Sequence, residues 1–141
     1  MSDQATSPAA GGPNFPLRDM LGFTISSGVD DSGRGVSSVV LEVDERHINP
    51  HGTVHGAVMF ALIDTAMGGA TMSVVSDGNW CATVDIHTRF LAPCFSGTLT
   101  ATATVRRAGR RIVHLDGVVT DQTGKEFMAA SGVFAVIPAA G

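Results

Sequence analysis

The chain has 141 residues, 44% of them hydrophobic and only 16% charged, which suits one compact domain built round an apolar core. Nine basic against thirteen acidic residues leave a net charge of −4. That balance excludes a partner held mainly by phosphate attraction, nucleic acid above all.

Residues 1–17 read as a flexible arm ahead of a single domain over 18–141. The first sixteen, "MSDQATSPAAGGPNFP", are rich in Ser, Ala, Gly and Pro and lack the basic start and apolar run of a secretory signal. Two strands then open the domain. "LGFTISSGV" runs into the turn signal "DDSGRG", and "VSSVVLEV" follows with Val39, Leu41 and Val43 alternating. The polar, breaker-rich stretch "DERHINPHGTVHG" is a loop. From about Val54 to Val75 the chain reads as one long helix, free of proline and apolar on nearly every face, hence buried.

After "SDGNW" the hydrophobic period becomes two. "ATVDIHTRF" puts Ala82, Val84, Ile86 and Phe90 on one face and Thr83, Asp85, His87 and Arg89 on the other. "TLTATATV", "RIVHLDGVVT" and "EFMAASGVFAVI" complete four strands joined by short turns, so that neighbours run antiparallel. The last strand is apolar on both faces and belongs in the middle of a sheet or at an interface. One sheet and one apolar helix bury each other best when the sheet curls round the helix, an α+β arrangement. The stretch 54–76 is long enough to span a bilayer, but Asp64 would sit mid-membrane at about 2.5–3.5 kcal/mol and no basic cluster flanks it. Cys81 and Cys94 have no metal or redox spacing and suit a reducing cytoplasm.

Candidate chemistry centres on the helix. His47, His51 and His55 are spaced four apart, but Pro50 and Gly52 interrupt any helical face, so they read as a polar loop and not as a metal site. His87 and His114 read as solvated histidines on polar strand faces. "VHGA" reads as a helix N-terminus, whose unpaired N–H groups suit a developing oxyanion, with Gly56 allowing close approach. Asp64, alone within "VMFALIDTAM", is either a structural carboxylate on a thin polar stripe with Thr65 and Thr71 or a functional group. It lies nine residues after His55, about 13 Å along the axis and on the opposite face. Groups that share a reacting centre must converge to about 3–3.5 Å. If both serve one site, that site is shared by two subunits, giving a homodimer and, for larger forms, a dimer-of-dimers tetramer.

"HINPHGTVHGAVMFALIDTAMGGA" resembles the signature of hotdog-fold acyl-CoA thioesterases of the phenylacetate-pathway (PaaI-like) and related types. Asn49, Gly52, His55, Gly56 and Asp64 match its Asn, Gly, His-Gly and Asp positions. The likeness continues through "TVDIHTRFLAP", "ATATVRRAGRR" and "GKEFMAASGVFAV", over roughly residues 20–138. It implies a helix wrapped by an antiparallel sheet, and sites at a twofold interface. It also implies roles: Asp64 as general base or nucleophile, and the Gly56 N–H as the group that polarises the thioester carbonyl. His55 orients that carbonyl, Asn49 holds the water or thioester, and Thr83 supplies a hydroxyl near Asp64. Departures are Ala57 and Gly68, where relatives carry a second glycine and a hydroxyl, and Thr83 in place of Ser.

Arg106, Arg107, Arg110 and Arg111 flank an "AG" turn and read either as a solvated hairpin end or as contacts to the coenzyme A phosphates. The reading that results is a cytoplasmic acyl-CoA thioester hydrolase with no metal and no bound cofactor. Its rivals are a non-catalytic acyl-CoA-binding module and a hotdog dehydratase. Retention of Asn49, His55 and Asp64 together counts against the first, and the order of His and acid counts against the second.

Overall fold

A computed structural model describes residues 12–140, so residues 1–11 of the expected arm lie outside the described residues. A short helix, α1 (Pro16–Leu21), leads into β1 (Thr24–Val29) and β2 (Gly35–Glu42). A 3-10 turn at Glu45–His47 precedes the long helix α2 (Gly56–Met72), followed by β3 (Trp80–Phe90), β4 (Thr98–Ala108), β5 (Ile112–Asp121) and β6 (Glu126–Ile137). The six strands form one antiparallel sheet in the order β1-β2-β4-β5-β6-β3.

The expected α+β architecture is present, one curled sheet against one long helix, and β6 lies inside the sheet as its apolar faces require. Helix α1 was not expected; Pro16 starts it and Gly22, at φ 85°, ends it. Helix α2 is shorter than the apolar run. His55 takes the N-cap and Val54 is drawn into a bridge with Ile48. At the other end Ser73 closes the last turn, its hydroxyl donating to the Gly69 carbonyl at 3.0 Å. No helix among the described residues is long and apolar enough to cross a membrane.

Two expectations are overturned. Strands β3 and β4, adjacent in sequence, are not neighbours, because β5 and β6 lie between them. The connection 91–97 instead runs across the end of the sheet. It is tied there by Leu91 N–H to the Phe127 carbonyl at 2.8 Å, Val54 N–H to the Cys94 carbonyl at 2.8 Å and Val43 N–H to the Gly97 carbonyl at 2.9 Å. The strict alternation read in β3 also fails. Its register against β6 shifts between Thr83 and Asp85, a bulge at Val84. Cys81 and Thr83 therefore face α2, as do Ile86 and Phe90 beyond the bulge, while Val84 is 55% exposed.

The core lies between α2 and the inner sheet face, with Leu62, Ile63, Met67, Leu99, Leu115 and Met128 fully buried. The seating is close because small residues meet there. A Cβ on Gly69 would come within 2.7 Å of the Ser37 hydroxyl, one on Gly117 within 2.6 Å of Ile63, and one on Gly35 would overlap the Ala70 carbonyl oxygen. Backbone cannot swing aside as a side-chain tip can. Gly35→Ala should therefore cost about 1–3 kcal/mol of stability. Urea unfolding checks this, and a loss within error of zero would show that the sheet has slack over α2.

Candidate functional site

Helix α2 buries Val58, Met59, Leu62, Ile63, Ala66, Met67 and Ala70 against the sheet. The opposite face, with Ala57, Ala61, Asp64, Thr65, Gly68 and Met72, is left partly or fully open. Asp64 is thus not enclosed within the chain, unlike what its apolar neighbours in sequence lead one to expect. An amphipathic stripe is masked when the open face is itself lined by Ala, Gly and Met. Thr71, read as part of a polar stripe with Asp64, is instead buried and donates its hydroxyl to the Met67 carbonyl at 2.9 Å.

Among the described residues Asp64 has one hydrogen-bond partner. The Thr83 hydroxyl donates to Asp64 Oδ1 at 2.7 Å, joining the middle of α2 to β3. The bulge at Val84 makes this possible, since it lets Thr83 face inward while Ile86 and Phe90 do the same. Nearby, Cys81 approaches the Gly68 carbonyl at 3.9 Å. Burial pushes the Cys81 thiol up, and the Asp64 charge raises it further, so it stays protonated.

The other expected residues gather at the start of α2. His55 Nδ1 accepts from the Ala57 N–H at 2.9 Å, and the His55 carbonyl accepts from Val58 and Met59. The Gly56 N–H is the helix-start donor for which the described residues provide no acceptor. The Phe90 ring lies 3.4 Å from where a Gly56 Cβ would sit, and both residues line a hollow of about 380 Å³ with Met59 and Pro93. Asn49 braces the loop beneath. Its Oδ1 accepts from the His51 and Thr53 N–H groups at 2.9 and 3.1 Å, and its Nδ2 donates to the Thr53 hydroxyl at 2.9 Å. Asp64 and Gly56 sit eight residues apart on one unbroken helix, about 12 Å along its axis. The single chain does not bring them together.

His47 departs from the polar-loop expectation: it is fully buried. Its Nδ1 accepts from the Asp44 N–H at 2.9 Å, so Nε2 carries the hydrogen and donates to the Leu21 carbonyl at 2.8 Å. Arg46 reaches the Met20 carbonyl at 2.8 Å beside it. The 3-10 turn thus clips α1 to the loop that carries Asn49 and His55. A capping signal was present in "DERH", with Asp44 and His47 at capping-box spacing.

The four arginines separate. Arg106 donates to Asp116 at 2.8 Å on the outer sheet face. Arg107 stands opposite His114 in register, and Arg110 lines a small hollow with Val74 and Asn79. Arg111 is exposed at the turn. Thr83, Phe134, Val113 and Ala108 lie in one row across the sheet, which puts the arginine hairpin three strand spacings, about 14 Å, from Thr83.

Comparison with known proteins gives the family and the fold. Residues 51–128, more than half of the chain, match the family described as Thioesterase superfamily. The chain belongs to the thioesterase superfamily. Among the superfamily's members it is 36% identical over 94 residues to the acyl-coenzyme A thioesterase PaaI of Escherichia coli K12, spanning 64% of that enzyme's length and 64% of its own. A thioesterase crystal structure from Haemophilus influenzae superimposes with a TM-score of 0.83 at 26% identity, covering 94% of this chain and 90% of that one. A Bacillus halodurans protein solved with CoA is similar at a TM-score of 0.69 and 27% identity, over 71% of this chain and 66% of that one. The sheet and helix are those of the hotdog thioesterases.

The clip carries its own pH signature. The Arg46 guanidinium beside Asp44, with the Arg46 N–H, holds the Asp44 carboxyl down at about 2. A carboxyl depressed on folding stabilises above its unfolded value, about 3.9, and loses that contribution as pH falls through 2. The difference in unfolding midpoint between the protein and Asp44→Asn should therefore be full above pH 5 and shrink as pH falls from about 4 to about 2. A pH-independent difference would assign the effect to packing.

Proposed function

We propose that the protein hydrolyses acyl-CoA thioesters, releasing a carboxylic acid and free coenzyme A, at sites shared by two protomers. The observation that carries this is the hydrogen bond from Thr83 to Asp64 on the open face of α2. It orients the carboxylate and engages Oδ1, leaving Oδ2 for a water. Water attacks the thioester carbonyl carbon as Asp64 takes its proton. The tetrahedral oxyanion is held by the Gly56 N–H of the other protomer, His55 orients the carbonyl and Asn49 keeps the loop in shape. The C–S bond then breaks, and the sulfur leaves with the proton. Similarity to PaaI supports the reaction class.

Two features support the shared site. Groups about 12 Å apart on a rigid helix cannot converge to about 3–3.5 Å on one substrate. Strand β3 is an eleven-residue sheet edge with Trp80, Val84 and Phe90 all more than half exposed, an edge that suits pairing with a second copy. Pairing there would bring the open faces of two α2 helices together. Half-buried Val36, Val40, Val118 and Val133 on the outer sheet face suit a further dimer-of-dimers contact.

Asp64→Asn should lower kcat by about 10²–10⁴-fold with binding largely retained. Near-normal kcat would instead make the protein an acyl-CoA-binding module. Mixing inactive His55→Ala and Asp64→Asn proteins under subunit exchange should restore activity, because a mixed dimer holds one site with both native groups. No recovery despite proven exchange would sink the shared site.

The exposed arginines of the hairpin are proposed to hold the coenzyme A phosphates, with Arg106 already engaged by Asp116. Contacts to a non-reacting end change little between ground and transition states. Arg110→Ala and Arg111→Ala should therefore raise KM more than they lower kcat, less so at high salt, where screening acts within about 10 Å at 0.1 M. An acyl-N-acetylcysteamine, which lacks the nucleotide, should show no such loss; an equal loss on both substrates would make the hairpin structural.

A further inference from the structure

Among the described residues three polar side chains are fully buried, those of Ser37, Thr71 and His47. Thr71 bonds within its own helix, and the Ser37 hydroxyl meets that of Ser27 on the adjoining strand. His47 differs from both: it ties together segments far apart in the chain, and the proposed chemistry gives it no part. An apolar side chain would fill the same space with no ring nitrogens to satisfy.

All four polar groups of His47 are engaged. The ring accepts the Asp44 N–H at Nδ1, 2.9 Å, and gives its Nε2 hydrogen to the Leu21 carbonyl, 2.8 Å. In the main chain the His47 N–H donates to the Asp44 carbonyl at 3.0 Å, and the His47 carbonyl accepts from the His55 N–H at 2.8 Å. That last bond closes residues 47–55 into a loop. Within it Ile48 bridges Val54, the Asn49 N–H donates to the Thr53 carbonyl at 2.7 Å, and the Asn49 side chain engages His51 and Thr53. A loop stitched this closely moves as one piece. Its far end, His55, is the N-cap of α2, so its orientation sets where the next N–H, that of Gly56, points.

Among the described residues two hydrogen bonds anchor this piece to distant parts of the chain. One runs from the Val54 N–H to the Cys94 carbonyl at 2.8 Å. The other runs from the His47 ring to the end of α1. A body held at one point pivots freely, whereas a second point removes most of that freedom. We propose that His47 is a positioning residue for oxyanion stabilisation: its ring, fixed between the Asp44 N–H and the Leu21 carbonyl, sets through its own carbonyl the aim of the Gly56 N–H. The part played by that N–H is the one the acyl-CoA hydrolase reading gives it, and the assignment of His47 rests on that reading. A donor helps only where it points at developing charge, and a misplacement of about 1 Å can cost about 10²-fold. His47 touches no substrate. It acts through His55 and the helix start, and it makes the seating of α1 part of the geometry of the site.

Three substitutions test this. His47→Leu fills the space but offers neither donor nor acceptor. His47→Asn serves the Asp44 N–H and falls short of Leu21, while the longer amide of His47→Gln can make both contacts. In folded protein His47→Leu should lower kcat by about tenfold or more with KM within about threefold, and His47→Gln should recover most of the loss. His47→Asn should fall between them. A spectroscopic reading separates aim from stability. With Asp64→Asn to block turnover, octanoyl-CoA labelled with a heavy carbonyl carbon should show its bound carbonyl stretch at lower frequency than when free in solution. Adding His47→Leu should return that stretch most of the way to the free value, and adding His47→Gln should not. Should His47→Leu fail to fold, His47→Asn decides on the same readings. A bound stretch that neither substitution moves in folded protein overturns the assignment of His47 alone. A stretch equal to that of free octanoyl-CoA with His47 intact removes the oxyanion reading, and the assignment with it.

Discussion

The structure depends on how closely one helix can lie against one sheet. Gly35 and Gly117 on the strands and Gly69 on α2 let backbone approach side chain or backbone across the interface, with no room for even one added carbon. A helix seated so closely is gripped along one side, and a single curled sheet cannot reach round the other. The face that carries Asp64 is therefore left open by the same packing that makes the core. A carboxylate there escapes the desolvation penalty of the core while remaining beside apolar surface.

The bulge in β3 resolves a conflict between two demands on that strand. It must turn Ile86 and Phe90 inward to cover α2, and it must also present Thr83 to Asp64. Residues 83 and 86 have opposite parity and cannot share a face in a regular strand. One extra residue, Val84, restores agreement, and an edge strand accommodates it because only one side of its ladder is disturbed. Bulges beside functional groups are commonly of this kind.

The scaffold behind the site is polar where it must be rigid. His47 is buried with both ring nitrogens satisfied by backbone, Asn49 closes its own loop, and His55 caps α2. Local contacts of this sort hold a loop that has little apolar surface to bury. The loop in turn fixes both the start of α2 and the attachment of α1.

Much of the fold was legible in the chain because it is written at short range. Period-two stretches, turn signals and a proline-free apolar run report strands, turns and a helix from neighbours alone, and the placement of β6 inside the sheet follows from its two apolar faces. The residues proposed for the site were singled out through the resemblance that Asn49, Gly52, His55, Gly56 and Asp64 carry. What the chain could not show by itself was long-range geometry. Strand order, the inversion at Val84, the enclosure of His47 and the openness of Asp64 depend on which distant segments meet, and alternation or hydropathy within one segment carries no record of that. Composition announced that α2 was apolar all round. Only the tertiary structure decided which of its sides the sheet would cover, because a sheet of this size can bury one side of a helix and must leave the other for something else.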